Sequence, residues 1–234
     1  MCGRFNMTND PLTRLFMALV GQDMPEGDRL NVAPTETVPI VAGDADAESG
    51  RRLAEMRWWL VPHWSREPTT RYAMFNARAE KMATSNAFRS PFLHRRAVVP
   101  VSGFYEWLKG EDGRKQPNYV VADGDDGLLL AGLWDRWQGG GETLESFTLV
   151  TTAAHESLTW LHHRQPVMLT RAEAALWLDS DSEPAALQAL CVPRLAVPLA
   201  VVPASTRVNN ARYKDDACLE AVGPARHLAR TVED

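Results

Sequence analysis

Cys2 carries the most distinctive chemistry in this 234-residue chain. Removal of Met1 would leave a thiol and an α-amine on one residue. Such a 1,2-aminothiol supports two reactions. With the amine, of ordinary pKa about 7.7–8.0, acting as base, the thiol is the nucleophile of an N-terminal nucleophile hydrolase. Given an aldehyde, the amine instead condenses to a Schiff base and the thiol closes on the same carbon, forming a five-membered thiazolidine. Taken alone, Cys2 could also be a small residue with no chemical role.

Other groups gain meaning beside it. Arg4 stands two residues on, so an extended N-terminus turns both side chains to one face, where a guanidinium could hold a phosphate or carboxylate. A solvated arginine is the alternative. Asn76 and Arg78 repeat that spacing within Phe75-Asn76-Ala77-Arg78-Ala79-Glu80, offering a neutral amide and a second phosphate clamp. Glu106 is the single carboxylate of the aromatic run Gly103-Phe104-Tyr105-Glu106-Trp107-Leu108, and alternation sets it on the face of Phe104 and Leu108. Burial there would suit it to general acid–base work; an edge strand would leave it facing water. His162 and His163 supply imidazoles, of which adjacency lets only one enter a site. Trp64 follows Pro62-His63 in an expected loop and could stack on or wedge against a base.

Positioning these groups falls to a strand-rich chain. Val38–Ala42, Ala54–Val61, Ala97–Val101, Asn118–Ala122, Leu128–Trp134, Ser146–Thr152, Pro166–Leu169 and Leu195–Val202 are short, β-branched or aromatic, and bounded by Gly, Pro or Asp. Helices do not alternate with them, which predicts an α+β fold: a mainly antiparallel, barrel-like sheet with helices packed around it, in one domain spanning 1–234. Asp10-Pro11 opens a helix with Leu12, Leu15, Phe16 and Leu19 on one face, ending near Gly21. Thr170 to Glu173 fits a capping box for a helix through Leu178, and Ser182 caps another through Leu190. Ala79 to Arg96 reads as partly helical, broken by Pro91. Gly43–Gly50, Gly110–Gly113, Asp123–Gly127 and Gly139–Gly141 read as hairpin tips.

Composition narrows the function classes. A formal charge of −5 argues against a protein that coats duplex DNA through a basic surface, while leaving room for a local basic groove. Cys2, Cys191 and Cys218 form no CxxC pair, so a reducing, cytoplasmic protein without disulfides is expected. No signal peptide or membrane segment is expected either: Leu195 to Ala204 is interrupted by Pro198 and Pro203. His63, His94, His155, His162, His163 and His227 show no metal-ligand spacing, and neither GxxxxGK[ST] nor GxGxxG occurs, so no metal and no nucleotide cofactor is expected.

In order along the chain, Met-Cys-Gly-Arg-Phe at the start, Asn-Val-Ala-Pro-Thr at 31–35, Met-Arg-Trp-Trp-Leu-Val-Pro-His-Trp at 56–64 and Asn-Ala-Arg-Ala-Glu at 76–80 are followed by Val-Pro-Val-Ser-Gly-Phe-Tyr-Glu-Trp at 99–107, Ala-Gly-Leu-Trp at 131–134 and His-His-Arg-Gln-Pro-Val-Met-Leu at 162–169. Together they resemble the SOS response-associated peptidase family, as does Val208-Asn209-Asn210-Ala211-Arg212. Trp59 departs from the family's usual glycine, His163 from a common acidic residue, and Gln165 from methionine or arginine.

The resemblance implies a protein that recognises abasic sites in single-stranded DNA and crosslinks to them through Cys2, after autocatalytic removal of Met1. It implies that Asn76 orients the sugar aldehyde and the amine, that Glu106 moves protons in Met1 removal, ring closure and reversal, and that His162 helps open the sugar. Arg4 and Arg78 would grip flanking phosphates, Thr151 would contact the pocket and Pro34 would shape its wall. A monomer without cofactor is implied, associated with the nucleoid when DNA is damaged, with strand cleavage by β-elimination as a side activity. The rivals are a glutamine amidotransferase-like hydrolase, whose glutamine-binding motifs are not evident, and a non-covalent single-stranded-DNA binder.

Overall fold

The strands close on themselves through one parallel contact, and that contact decides where the functional segments lie. The computed structural model describes residues 2–124 and 126–231. In its first half are β1 (Phe5–Met7), α1 (Asn9–Val20), β2 (Arg29–Val32), β3 (Thr37–Gly43), β4 (Arg51–Trp58), β5 (Asn76–Arg78), α2 (Ala79–Met82), α3 (Arg89–His94), β6 (Arg96–Val101) and β7 (Gly103–Lys109). Then follow β8 (Lys115–Ala122), β9 (Leu128–Gly139), β10 (Glu142–Ala153), β11 (Arg164–Pro166), β12 (Met168–Leu169), α4 (Arg171–Leu178), α5 (Pro184–Ala189), β13 (Leu199–Pro203) and β14 (Arg226–Leu228).

Strands β4, β3, β6 and β9 run antiparallel in that order, β9 pairs with β10, and β10 returns to β4 in parallel, closing a 5-strand barrel. Closure removes the exposed edges that an open sheet of these strands would present. A 6-stranded antiparallel sheet, β14-β13-β8-β7-β1-β2, packs beside it. The expected α+β class with an antiparallel, barrel-like core is what the chain forms. Trp58 anchors the junction: fully buried, it meets Phe5 at 4.7 Å, Phe75 at 6.0 Å and Phe147 at 6.4 Å, and its indole N–H donates to the Phe75 carbonyl.

Local signals explain most elements. Leu12, Leu15, Phe16 and Leu19 are the buried face of α1, and Gly21 ends it in the left-handed region at φ 67°. Asp10 is itself extended, so the regular turns begin at Pro11. Thr170 and Glu173 form the reciprocal capping box of α4. Other expectations are corrected. The cap of α5 is Glu183 and not Ser182, whose hydroxyl donates to the Leu176 carbonyl instead. Pro91 does not break a helix but sits in the first turn of α3, where its missing N–H costs nothing. β4 stops at Trp58 rather than Val61, and β13 starts at Leu199 rather than Leu195. Asp123–Gly127 is no hairpin tip: it carries the chain from β8 in one sheet to β9 in the other.

Arg96 ties helices to barrel. Its guanidinium is almost fully buried and donates to the carbonyls of Phe92 and Leu93 in α3 and of Trp177 and Asp179 at the end of α4. One cation thus satisfies carbonyls that two helix C-termini leave without internal partners. Arg96→Met should strand those buried acceptors and lower unfolding stability by about 3 kcal/mol. Urea denaturation checks this; a midpoint equal to that of the wild type would show that the carbonyls find other donors.

Candidate active site

Gly103 begins β7 where β8 crosses so closely that a Cβ would lie 2.6 Å from the Val120 carbonyl oxygen. β7 therefore sits tightly between β8 and β1, with Phe104 opposite Phe5 and Glu106 opposite Asn118. Being interior, the strand buries Glu106 to 6% exposure rather than turning it to water. The chain before β1 continues along β7, and the Arg4 carbonyl accepts the Tyr105 N–H at 2.8 Å.

Cys2 is fully buried at the end of this line, with Sγ 3.8 Å from the Arg4 carbonyl oxygen. Burial, and next the charge of Glu106, push its thiol up to about 12, so it is protonated at neutral pH. Asn76 holds the same residue from the opposite side, donating from Nδ2 to the Cys2 carbonyl at 2.7 Å. It is delivered by β5, which runs parallel to β10 with Asn76 opposite Leu149. Asn76 Oδ1 is buried and accepts no hydrogen bond among the described residues. Met1, whose removal the family resemblance implies, lies outside the described residues.

Glu106 and Arg4 also line an open cleft of about 560 Å³, together with Phe75, Trp107, Lys115, His162 and Asn209. The His162 Nδ1 is engaged by the backbone of Arg164, 3.0 Å from its nitrogen and 3.1 Å from its carbonyl oxygen, which orients the ring. Desolvation lowers its pKa, the nearby Glu106 charge opposes this, and the net result is a ring that stays neutral to lower pH than usual. His163 stacks on it at 4.2 Å but faces solvent.

Arg4 is half-committed before any ligand arrives. Its Nη1 donates to Asn31 Oδ1 at 2.7 Å and to the Val208 carbonyl at 2.8 Å, and the guanidinium lies 5.7 Å from the Trp107 ring. Asn31 adopts φ 51°, which asparagine tolerates better than most residues, and its Nδ2 donates to the carbonyls of Val208, Asn210 and Tyr213. The segment from Ala204 to Ala221 is thereby strapped against the N-terminal strands, placing Asn209 where its Oδ1 accepts the Trp107 indole N–H at 2.6 Å.

Arg4, Glu106 and His162 thus line one cleft, while Cys2 and Asn76, bonded to each other, are not among its lining residues and are linked to it through the Glu106 charge felt by the Cys2 thiol. Arg78 is exposed on β5 two residues beyond Asn76, outside the cleft lining. Thr151 does not reach the cleft: fully buried, its hydroxyl donates to the Ala77 carbonyl. Neither Pro34, half-buried between β2 and β3, nor Trp64, 56% exposed with its N–H on the Asn86 carbonyl, lines it. Sequence reasoning missed Phe75, Trp107, Lys115 and Asn209 as cleft residues. Trp107 and Asn209 are joined only across the fold, so no local pattern announces them. Among the described residues no cluster of His, Cys, Asp or Glu is placed to hold a metal ion, and no helix is long and apolar enough to cross a membrane.

Comparison with known proteins bears on this arrangement. The family model described as SOS response associated peptidase (SRAP) matches residues 1–211. A Bacillus subtilis protein named abasic site processing protein YoqW is 30% identical over 226 residues, covering 94% of this chain and 100% of the relative. Abasic site processing protein HMCES of Xenopus tropicalis is 33% identical over 221 residues, covering 82% of this chain and 65% of the relative. A crystal structure of a Bacteroides thetaiotaomicron protein superposes with TM-score 0.77 at 22% identity over 94% of this chain and 100% of that one, a likeness of fold. By the extent of the family match and of the Bacillus similarity, the chain belongs to the SOS response associated peptidase family.

Proposed function

We propose that this protein processes abasic sites in single-stranded DNA by covalent capture, with Cys2 as the nucleophile once Met1 has been removed by the chain itself. The observation that carries the proposal is the Asn76 grip on the Cys2 carbonyl, with the Cys2 thiol and the His162 ring both feeling the charge of Glu106, which walls the cleft with His162. The names of the relatives support the lesion; an abasic deoxyribose opens to the aldehyde that a 1,2-aminothiol consumes.

The Cys2 amine adds to the sugar C1 aldehyde and expels water, leaving an imine. The thiol then adds across the C=N bond: sulfur bonds to C1, its proton passes to nitrogen, and a thiazolidine results. A thiol whose pKa is raised to about 12 needs a base at that step, and the neutral His162 and the Glu106 carboxylate are the groups placed to serve. Asn76 holds the Cys2 backbone so that amine and thiol present to the same carbon. Arg4, with donors beyond Nη1 remaining, and Arg78 on the rim hold flanking phosphates, which lets an acidic protein bind DNA locally. Imine that escapes trapping loses the 3′ phosphate by β-elimination, a lyase side reaction. The working unit is a monomer.

Denaturing gels and intact mass spectrometry with an oligonucleotide bearing one abasic site should show a heat-stable adduct at the summed mass less water. It should be absent from Cys2→Ala and from undamaged DNA. A chain whose mass shows Met1 already removed, yet which forms no adduct, would sink the covalent reading. His162→Gln should slow capture about 10²-fold. Because the neutral ring is the active form and its pKa is lowered, the rate advantage of wild type over His162→Gln should be lost with acid only at a pH below the ordinary histidine value, whereas protonation of the amine slows both proteins alike. The ratio of the two capture rates across pH checks this: a ratio that falls at or above that value, or that does not change with pH, contradicts the role given to His162.

A further inference from the structure

Beside the cleft a second arginine is already held by a carboxylate. The Arg164 guanidinium meets Glu80 with both prongs, Nη1 to Oε1 at 2.9 Å and Nη2 to Oε2 at 3.1 Å. Nη2 also donates to the Thr151 carbonyl at 2.6 Å. The Arg164 side chain is only 10% exposed, whereas Glu80 is 52% exposed and can swing away into water. Arg164 lines a small recess together with Glu106 and His162, so it lies next to the reacting groups.

Sheet order adds a second cation. Thr151 on β10 is flanked by Arg78 on β5, its register partner, and by β11, where Arg164 stands opposite Ala153. Glu80 follows Arg78 by two residues at the start of α2. Two arginines and one exposed carboxylate thus share the edge of β10, with Arg164 next to His162. A two-pronged guanidinium–carboxylate pair has the geometry of a guanidinium–phosphate pair. The hydrogen bond from Arg164 and, more weakly, the charge of Arg78 hold the Glu80 carboxyl below its usual range, as a strand phosphate there would also feel them.

We propose that Glu80 is an internal phosphate mimic that competes with the DNA strand for the Arg164 guanidinium. Resting on the DNA-binding reading above, the inference adds a regulatory element to that site. Glu80 weakens the grip on undamaged strand, so that retention depends on the covalent step rather than on phosphate contacts common to all DNA.

The test is fluorescence anisotropy of an undamaged single-stranded oligonucleotide across a salt series. Glu80→Gln should bind about tenfold tighter, with the log–log salt slope steeper by about 0.7, one further phosphate neutralised. Glu80→Asp keeps the charge but shortens the reach, and should tighten binding in the same direction. Arg164→Met should erase the gain in the double variant. Equal affinities for wild type and Glu80→Gln, or a gain that persists without Arg164, would overturn the proposal, the latter by showing a general charge effect. Capture of an abasic oligonucleotide is measured in parallel. Wild-type capture with no Glu80 effect defeats the inference alone; a Glu80 effect without capture defeats the covalent reading alone; a wild type that neither binds nor captures defeats both.

Discussion

The site depends on the side-chain amide of Asn31. Its oxygen holds Arg4, its nitrogen holds three carbonyls of the strapped segment, and its own N–H is held by Asn6 Oδ1. Asn6 in turn donates to the Tyr105 hydroxyl, which donates to the Cys218 carbonyl. The residues joined are far apart in sequence and buried together, where an unmade hydrogen bond is expensive. Either end of the chain released from this network would leave the other with stranded polar groups. One wall of the cleft, carrying Asn209 and the Arg4 anchor, therefore exists only when the N-terminal strands and the strap are both in place.

Burial serves the chemistry on the other wall in a different way. The same desolvation that keeps the Cys2 thiol protonated keeps the His162 ring neutral. Thiol and imidazole are thus both uncharged in the folded protein, and the charge of Glu106 acts on each. A neutral thiol is also a poor target for stray oxidants, because the thiolate is the reactive form. Cys191, likewise buried and pushed up to about 12, shares that protection far from the N-terminus in sequence.

Much of this was legible in the residues and some was not. Strands such as Thr37–Gly43 and Arg96–Val101 announce themselves by β-branched runs, α1 by its apolar stripe and α4 by its capping box. Glu106, a single carboxylate in an aromatic run, drew attention for a reason that burial explains. What was hidden depends on pairing rather than pattern. β14, Arg226–Leu228, has no apolar periodicity and forms because β13 offers it an edge. The Asp123–Gly127 crossing looks locally like a hairpin tip, and only the sheet order shows otherwise. Asn209 and Lys115 sit in polar stretches whose significance comes from what lies opposite them. The family resemblance implies Thr151 as a pocket contact, yet β10 turns its hydroxyl inward to the Ala77 carbonyl.

The parallel edge of β10 has an evolutionary consequence. β4 leaves it at Trp58, opposite Phe147, and β5 rejoins it at Asn76, opposite Leu149, so the excursion between them departs and returns almost at one point. Closure entropy grows only slowly with length for such an excursion. The excursion displays Trp64 and Tyr72 and ends at Phe75 on the cleft, while barrel registers are fixed on either side of it. Descendants of this scaffold can therefore lengthen, shorten or recompose that segment, and with it one rim of the cleft, without disturbing the placement of Asn76. Change in the segment is thereby decoupled from the hydrogen bond that Asn76 makes to Cys2.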